Sequence, residues 1–350
     1  MTQPGQTSES TLAVIIPAYN AAATLPDCLN ALACSNRKPD EIILFDDGST
    51  DATPFIARAS GAKVISGGIS KRGPAIGRNI AAAASSGSII VFVDADVSVR
   101  PDTLQKLEAP LLSGEAVASF GSYDDHPKSL RLASVYANLR HHWIHQQGQS
   151  EAFTFWSGLG AIRSDTFREQ HGFDPIFTRP SIEDVELGCR IVESGGRIRL
   201  VKQALGTHQK DWSLAQLWKT DIFLRAVPWA QLIRGGRGHA KDLNISTRER
   251  AAAIAAHLVW VCAGIAIFQP AFWLAFIMIL AGYAALNSRF YSFLFRVAGL
   301  RAAAAGIVLH WCYHIYASVA FALVVMAELP SRSFSKRMNV SAGRIHATRP

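Results

Sequence analysis

Cysteine is scarce in this chain, and the five present, Cys28, Cys34, Cys189, Cys262 and Cys312, follow no paired or zinc-binding spacing. An odd, scattered set excludes a disulfide framework and reads as reduced core or membrane thiols. The first ten residues are polar, so no signal-peptide pattern precedes the first apolar run. Acidic residues are outnumbered, 27 against 35 Lys and Arg, for a net charge of +8. That balance suits an anionic membrane surface and anionic small ligands. No recognised nucleic-acid module accompanies it, so no nucleic-acid partner is expected. Asp, Glu, Lys and Arg are all missing from Ala251 to Ser288 and again from Ala302 to Ala327, which marks a change of solvent along the chain.

Against that background Asp94-Ala95-Asp96 stands out, because it closes the apolar run Ser88-Ile89-Ile90-Val91-Phe92-Val93. A strand of that composition belongs in a parallel sheet buried on both faces, and ligands collect beyond the carboxyl ends of such strands. Mg²⁺ and Mn²⁺ take a few carboxylate oxygens and complete their shell with phosphate oxygens. Two aspartates in one short turn can therefore grip a metal and a diphosphate together. An Asp-x-Asp alone also serves as an Asx-turn or helix cap.

Its surroundings repeat the pattern. Ala13-Val14-Ile15-Ile16-Pro17-Ala18-Tyr19-Asn20 is a buried strand running into a Pro-containing turn, followed by a helical stretch from Thr24 to Ala33. Glu41 to Phe45 is another strand, delivering Asp46-Asp47-Gly48-Ser49-Thr50-Asp51 to its carboxyl end. A short strand Ala62 to Ser66 precedes Arg72 to Asn79 and an Ala-rich helix to Ala84. Strands alternating with helices at this spacing predict a doubly wound, mostly parallel α/β domain.

The ordered series VIIPAYN, ILFDDGSTD, GRNIAAAASSGSIIVFVDAD and Ile182-Glu183-Asp184 resembles family 2 glycosyltransferases of the GT-A fold, over residues 11 to 210. The resemblance implies a nucleotide-sugar donor, a divalent metal cofactor (Mg²⁺ or Mn²⁺) and inverting transfer. It implies that Pro17, Tyr19, Asn20, Asp46 and Asp47 hold the nucleoside, with Asp47 the candidate for the base and Asp46 structural at the strand end. Arg78 and Asn79 become candidates for the pyrophosphate or sugar, Asp94 and Asp96 for diphosphate and metal, and His208 for the metal or diphosphate. Asp184, beside Glu183, is implied as general base. Phe155 to Arg163 looks like the family's acceptor wall, with Trp156 offering a flat apolar face and Gly158 and Gly160 letting an acceptor approach the backbone. Ala21 follows Asn20 where many relatives carry Glu, and the Arg225-to-Trp229 stretch lacks the leading Gln of processive relatives.

Beyond residue 210, Trp212, Trp218 and Trp229 with Lys219 and Arg225 suggest a membrane-surface segment over 211–250. A spanning helix needs about 20 apolar residues, so 251–286, interrupted by Gln269-Pro270, reads as two short spans or a hairpin. Residues 287–301 read as an interfacial helix carrying Arg289, Arg296 and Arg301, residues 302–327 as a further span, and 329–350 as a basic tail. Three crossings would export that tail although its charge favours the inside, so one of the first two segments is expected to be re-entrant or not to cross. Asn244-Ile245-Ser246 and Asn339-Val340-Ser341 match a glycosylation triplet that also arises by chance.

The expectation is thus a disordered N-terminus over 1–10, a GT-A domain over 11–210, and C-terminal transmembrane or interfacial helices. The function expected is metal-assisted transfer from a nucleotide sugar to a lipid or lipid-linked acceptor at the cytosolic face of a cell membrane. Two alternatives stay open: a nucleotidyltransferase, which should carry a basic Gly-rich loop after the first strand, and a non-catalytic membrane scaffold.

Overall fold

The computed structural model describes residues 10–68, 71–236 and 246–327. The expectations for residues 1–9, for the 329–350 tail and for both glycosylation asparagines lie outside the described residues.

The first half of the domain alternates as expected. β1 (Leu12–Ala18), α1 (Leu25–Ala33), β2 (Glu41–Asp46), α2 (Thr53–Ala59), β3 (Lys63–Ser66), α3 (Pro74–Ala83) and β4 (Ile89–Val93) form a four-strand parallel unit. β1 and β4 lie side by side within the full sheet, flanked by β2 and β8, and are buried almost throughout, which is why they read as unbroken apolar runs rather than alternating ones. Asn20 sits at φ 49° just past β1, a left-handed position that Asn tolerates better than most residues, and there the chain reverses direction.

The second half is mixed. It contains β5 (Val97–Val99), α4 (Thr103–Leu112), β6 (Ala118–Tyr123), α5 (Leu132–Gln147), β7 (Glu151–Ala152), β8 (Leu159–Arg163), α6 (Ser164–Glu169), α7 (Glu183–Glu193) and β9 (Ile198–His208). The sheet order is β3-β2-β1-β4-β8-β6-β9-β5, with β7 beside β9. β8 enters antiparallel between β4 and β6, so the sheet is parallel from β3 to β4 and mixed beyond, where β6 and β9 again pair parallel. β9 runs on to His208, because a register shift opposite Phe120 and Ser122 lets it continue into pairing with β5.

After β9 come α8 (Leu214–Lys219), a π-helical turn (Thr220–Ala226), α9 (Val227–Arg234), α10 (Thr247–Ala266) and α11 (Phe272–Met326). By length and composition α10 and α11 could each cross a membrane, with mean hydropathies of 1.3 and 1.6. The turn between them falls at Gln269-Pro270, as the interrupted apolar run predicts. α11 is broken at Gly299, whose φ of 75° no helix accommodates.

The expected interfacial helix over 287–301 is not a separate element. It continues the second arm of the hairpin up to the Gly299 break, with Phe290, Phe293 and Leu294 buried in one cluster with Tyr136 and Leu139 of α5. Arg289, Arg296 and Arg301 are exposed. One apolar face packs on the α/β domain and fastens the C-terminal helices to it, while Phe295, Val297 and Leu300 stay exposed. Of the three tryptophans expected at a membrane surface, Trp212 is buried in that same cluster, Trp229 packs against the domain core, and only Trp218 is well exposed.

One glycine tests how α7 is seated. A Cβ on Gly188 would lie 2.2 Å from the Phe155 backbone nitrogen, whereas one on Gly282 in α11 would meet nothing within 4 Å. Alanine normally favours a helix over glycine by about 1 kcal/mol. Gly282→Ala should therefore leave Tm unchanged or raise it, while Gly188→Ala should destabilise by about 1–3 kcal/mol through overpacking, read by thermal or denaturant unfolding.

Candidate active site

The site lies beyond the carboxyl ends of β1, β2 and β4. Most of the DDGSTD loop builds itself: Asp46 Oδ1 accepts from the Ser49 amide (3.1 Å), Asp51 Oδ1 from the Thr53 amide (2.9 Å), and Asn20 Oδ1 from the Thr50 amide (2.8 Å). Asp46 is 6% exposed, which fits a structural strand end. Asp47 accepts from the backbone amides of Arg72 (2.7 Å) and Gly73 (3.0 Å), pinning the loop ahead of α3. Pro17 is half-buried within β1, and Tyr19 is exposed with the Lys71 ammonium 3.7 Å from its ring centre.

Arg78 sits on α3 and is only 4% exposed. Its Nη2 donates to Asp94 Oδ1 at 2.7 Å and its Nη1 to Glu183 Oε1 at 3.0 Å. One guanidinium therefore joins the end of β4 to the start of α7. Glu183 also accepts from the Ser181 amide at 2.8 Å and is 4% exposed, so it stands behind the site and positions it. Asn79 spends its amide on the backbone of Phe173, donating at 2.7 Å and accepting at 2.9 Å. Both ends of that side chain are used, which ties down the loop before α7 and leaves it poorly placed to serve a donor.

Asp94 and Asp96 differ in environment. Burial raises the Asp94 carboxyl, Arg78 pulls it back, and the Asp96 charge adds to the rise. Burial would also raise Asp96, but His208 and Lys210 hold it below its ordinary value. His208 Nε2 lies 3.7 Å from Asp96 Oδ2, because β9 pairs Val97 with His208. Its ring stacks on Tyr123 at 4.1 Å, which fixes the plane of the imidazole. A carboxylate and an imidazole facing each other at that separation fit Mn²⁺ better than the oxygen-preferring Mg²⁺ by donor type, with Asp94 alongside and committed through one oxygen to Arg78.

Asp184 opens α7 and accepts from the Ser157 amide at 3.0 Å, the Ser157 hydroxyl at 3.2 Å and the Val185 amide at 2.8 Å. It also lines a cavity of about 650 Å³ between the α/β domain and the C-terminal helices. Trp156 stands in the wall between Tyr123 and His141, at ring separations of 4.8 and 4.5 Å. Gly158 and Gly160 do not open the backbone to an acceptor. The Trp156 ring fills the place of a Gly158 Cβ (2.7 Å), and the Trp156 carbonyl that of Gly160 (2.4 Å). They are small so that Trp156, in the loop before β8, can fold back over the start of that strand.

The far walls of this cavity escaped sequence reasoning. They come from α5, the π-helical turn, α9, α10 and the end of α11. Tyr136 Oη, His141 Nδ1 and Trp229 Nε1 are buried without hydrogen-bond partners, and all three residues line the cavity. Asp221 is 3% exposed and gathers Tyr316 Oη at 2.7 Å and Arg225 Nη1 at 3.2 Å. The visible hints were the histidines crowding α5, His141, His142 and His145, and a charged Asp221 among aromatics; neither has a motif attached.

Two outcomes follow. Arg78→Met strips the counter-ion from two carboxylates and should cost about 3–5 kcal/mol in denaturant unfolding, as for other broken buried pairs. Burial pushes the His145 imidazole down to about 4, while its Nδ1 donates to the Gly121 carbonyl at 2.9 Å. A depressed imidazole stays neutral when folded and binds a proton when unfolded, so stability should fall as pH drops from about 6.5 towards 4. The loss should approach about 3 kcal/mol, and His145→Gln should flatten that part of the pH–stability curve.

Comparison with known proteins places this geometry. Residues 13–169 match the glycosyl transferase family 2 description. Glucosyl-3-phosphoglycerate synthase of Mycobacterium tuberculosis is 35% identical over 139 residues, which are 37% of this chain and 42% of that protein. The chain thus spans under half the length of that relative. Validoxylamine A glucosyltransferase of Streptomyces hygroscopicus subsp. limoneus is 26% identical over 297 residues, 70% of this chain and 65% of that one. Among solved structures, a mannosyltransferase from Pyrobaculum calidifontis, in complex with GDP-Man and Mn²⁺, superposes with a TM-score of 0.51 at 20% identity, covering 89% of this chain and 87% of that one. The α/β sheet has the GT-A fold, and residues 13–169, a little under half of the chain, are similar to glycosyl transferase family 2.

Proposed function

We propose that this protein is a metal-assisted, inverting glycosyltransferase that moves a sugar from a nucleotide-diphosphate donor to a lipid or lipid-linked acceptor. The observation that carries the acceptor half is the cavity. Asp184 stands in its wall, unpartnered polar groups of Tyr136, His141 and Trp229 line it, and apolar side chains such as Ala253, Ala317 and Phe321 of the last two helices complete it. A polar head beside Asp184 with an apolar tail along α10 and α11 matches both halves of that lining.

In this reading the donor's nucleoside lies over the ends of β1 and β2, against Tyr19 and Asp47, with its diphosphate towards Asp94 and Asp96. Asp96 and His208 would hold Mg²⁺ or Mn²⁺, which offsets the charge developing on the departing nucleoside diphosphate. Asp184 accepts the proton of the attacking hydroxyl, and the hydrogen bonds from Ser157 fix where its carboxylate points. Arg78 and Glu183 do not touch substrate; they hold Asp94 and Asp184 in register. A single displacement inverts the anomeric centre.

Membrane attachment is part of the same proposal. α10, α11 and the turn between them expose Trp260, Phe268, Leu274, Met278, Leu323 and Met326, an apolar surface that a bilayer would cover. Nucleotide sugars are cytosolic, which would put the α/β domain on that side.

A donor panel tests the reading: detergent-purified protein with Mn²⁺ or Mg²⁺, each common nucleotide sugar, and nucleoside diphosphate release followed with and without membrane lipid. Release from one donor, raised by lipid and lost in Asp96→Ala, is expected. Asp184→Asn should lower transfer by at least 100-fold, the low end of what a general base contributes, while nucleotide affinity is kept. No release from any donor, and no metal-dependent nucleotide binding, would contradict the proposal.

A further inference from the structure

A second group of metal-ligating side chains lies outside the donor site. Glu249 is in the first turn of α10, and His310 and His314 stand one turn apart on α11. One ligand atom from each lies within 4.8 Å of the others. His314 Nε2 is 3.1 Å from Glu249 Oε2, and its Nδ1 is 3.0 Å from Tyr283 Oη, which itself receives a hydrogen bond from Tyr291 Oη at 3.1 Å.

A proton shared with Glu249 satisfies His314. It does nothing for His310, which is 4% exposed and whose Nδ1 is buried without a hydrogen-bond partner. The His310 and His314 rings are only 4.4 Å apart, centre to centre, so the unsatisfied imidazole stands directly beside the satisfied pair. A buried polar atom left unpaired costs about 1–3 kcal/mol, and a native helix pair rarely carries one without a reason. A divalent cation accepted by two imidazoles and a carboxylate answers all three side chains at once.

We propose that Glu249, His310 and His314 form a second divalent-metal site, one that fastens α10 to the last segment of α11. Two neutral imidazoles with one carboxylate select zinc over magnesium or calcium, and three protein ligands leave a fourth position open. Glu249 and His314 both line the large cavity, so that position faces it. Tyr283 supplies the outer hydrogen bond that orients a metal-bound imidazole. Arg140 and Arg248 lie near the cluster but are committed elsewhere, Arg140 over the Tyr313 ring at 3.3 Å and Arg248 to the Leu286 carbonyl at 2.6 Å. Ligand atoms of an occupied tetrahedral site sit about 3.3 Å apart, given bonds of about 2.0–2.1 Å, so binding would draw the three side chains inward. The site is independent of the donor metal, and the proposal stands whether or not the transferase reading does.

The experiment is zinc stoichiometry on the full-length, detergent-purified protein, loaded with ZnCl₂ and dialysed, with metal measured by mass spectrometry. Close to one zinc per chain should remain in wild type and in Asp96→Ala, and it should be lost in His310→Gln and in His314→Gln. Absence of retained zinc in wild type, retention in His310→Gln, or loss in Asp96→Ala would each overturn the proposal, the last by assigning the zinc to the donor site. A variant that fails to fold would also lose zinc, so wild type and Asp96→Ala loaded with Co²⁺ provide a separate reading. Intense visible ligand-field bands of a four-coordinate ion are expected in both. The weak spectrum of an octahedral aquo ion would overturn it.

Discussion

The buried Arg78 guanidinium is the contact on which the site depends. It leaves α3, crosses behind the carboxyl end of β4 and takes Asp94 with one nitrogen and Glu183 with another. β4 and β8 pair directly within one sheet, but α7 lies outside it, and no strand pairing fixes the first turn of α7 against the end of β4. A planar fork with two directed donors does fix it, which an ammonium could not do as well. Asp94, Asp96 and Asp184 acquire a shared frame through this one side chain. An unpaired charge there would be expensive, so the arrangement is also self-enforcing.

The second constraint is the way the C-terminal helices sit on the domain. Phe290, Phe293 and Leu294 press onto α5, and α10 and the last segment of α11 then close the open side of Asp184 into a cavity. The site is consequently split by solvent character: carboxylates and backbone amides beyond the ends of β1, β2 and β4, aromatic and aliphatic walls with a few unpartnered polar atoms in the cavity. That division follows from sequence composition. Part of the surface of the charge-free runs after residue 250 is buried against α5, which lines the same cavity as Asp184.

Much of the donor half was legible in the sequence. β1, β2 and β4 are central and buried, so their apolar runs are unambiguous, and acids at their ends are conspicuous because little else there is charged. The roles of individual polar residues were less legible. Arg78 and Asn79 sit next to each other and read alike as pyrophosphate candidates, yet one is a buried bridge and the other clamps Phe173. Only the packing of α7 and its preceding loop, distant in sequence, distinguishes them. Gly158 and Gly160 were read as openings because glycine vacates space; the structure fills that space with Trp156. The cavity wall was invisible for the same reason, since α5, the π-helical turn and α11 come together only in the fold.

The measurement that bears most directly on this account is transfer to a lipid acceptor by Ala317→Phe, with slow hydrolysis of the donor recorded in the same samples. Ala317 lines the cavity on the side of the last helix and is remote in sequence from every donor residue. If the acceptor occupies this cavity, the added ring should reduce lipid transfer by at least 10-fold while metal-dependent donor hydrolysis stays within about twofold of wild type, since a cavity-blocking side chain costs well over 1.4 kcal/mol of binding. Lipid transfer at the wild-type rate, with hydrolysis equally intact, would contradict the placement of the acceptor between the two parts of the molecule.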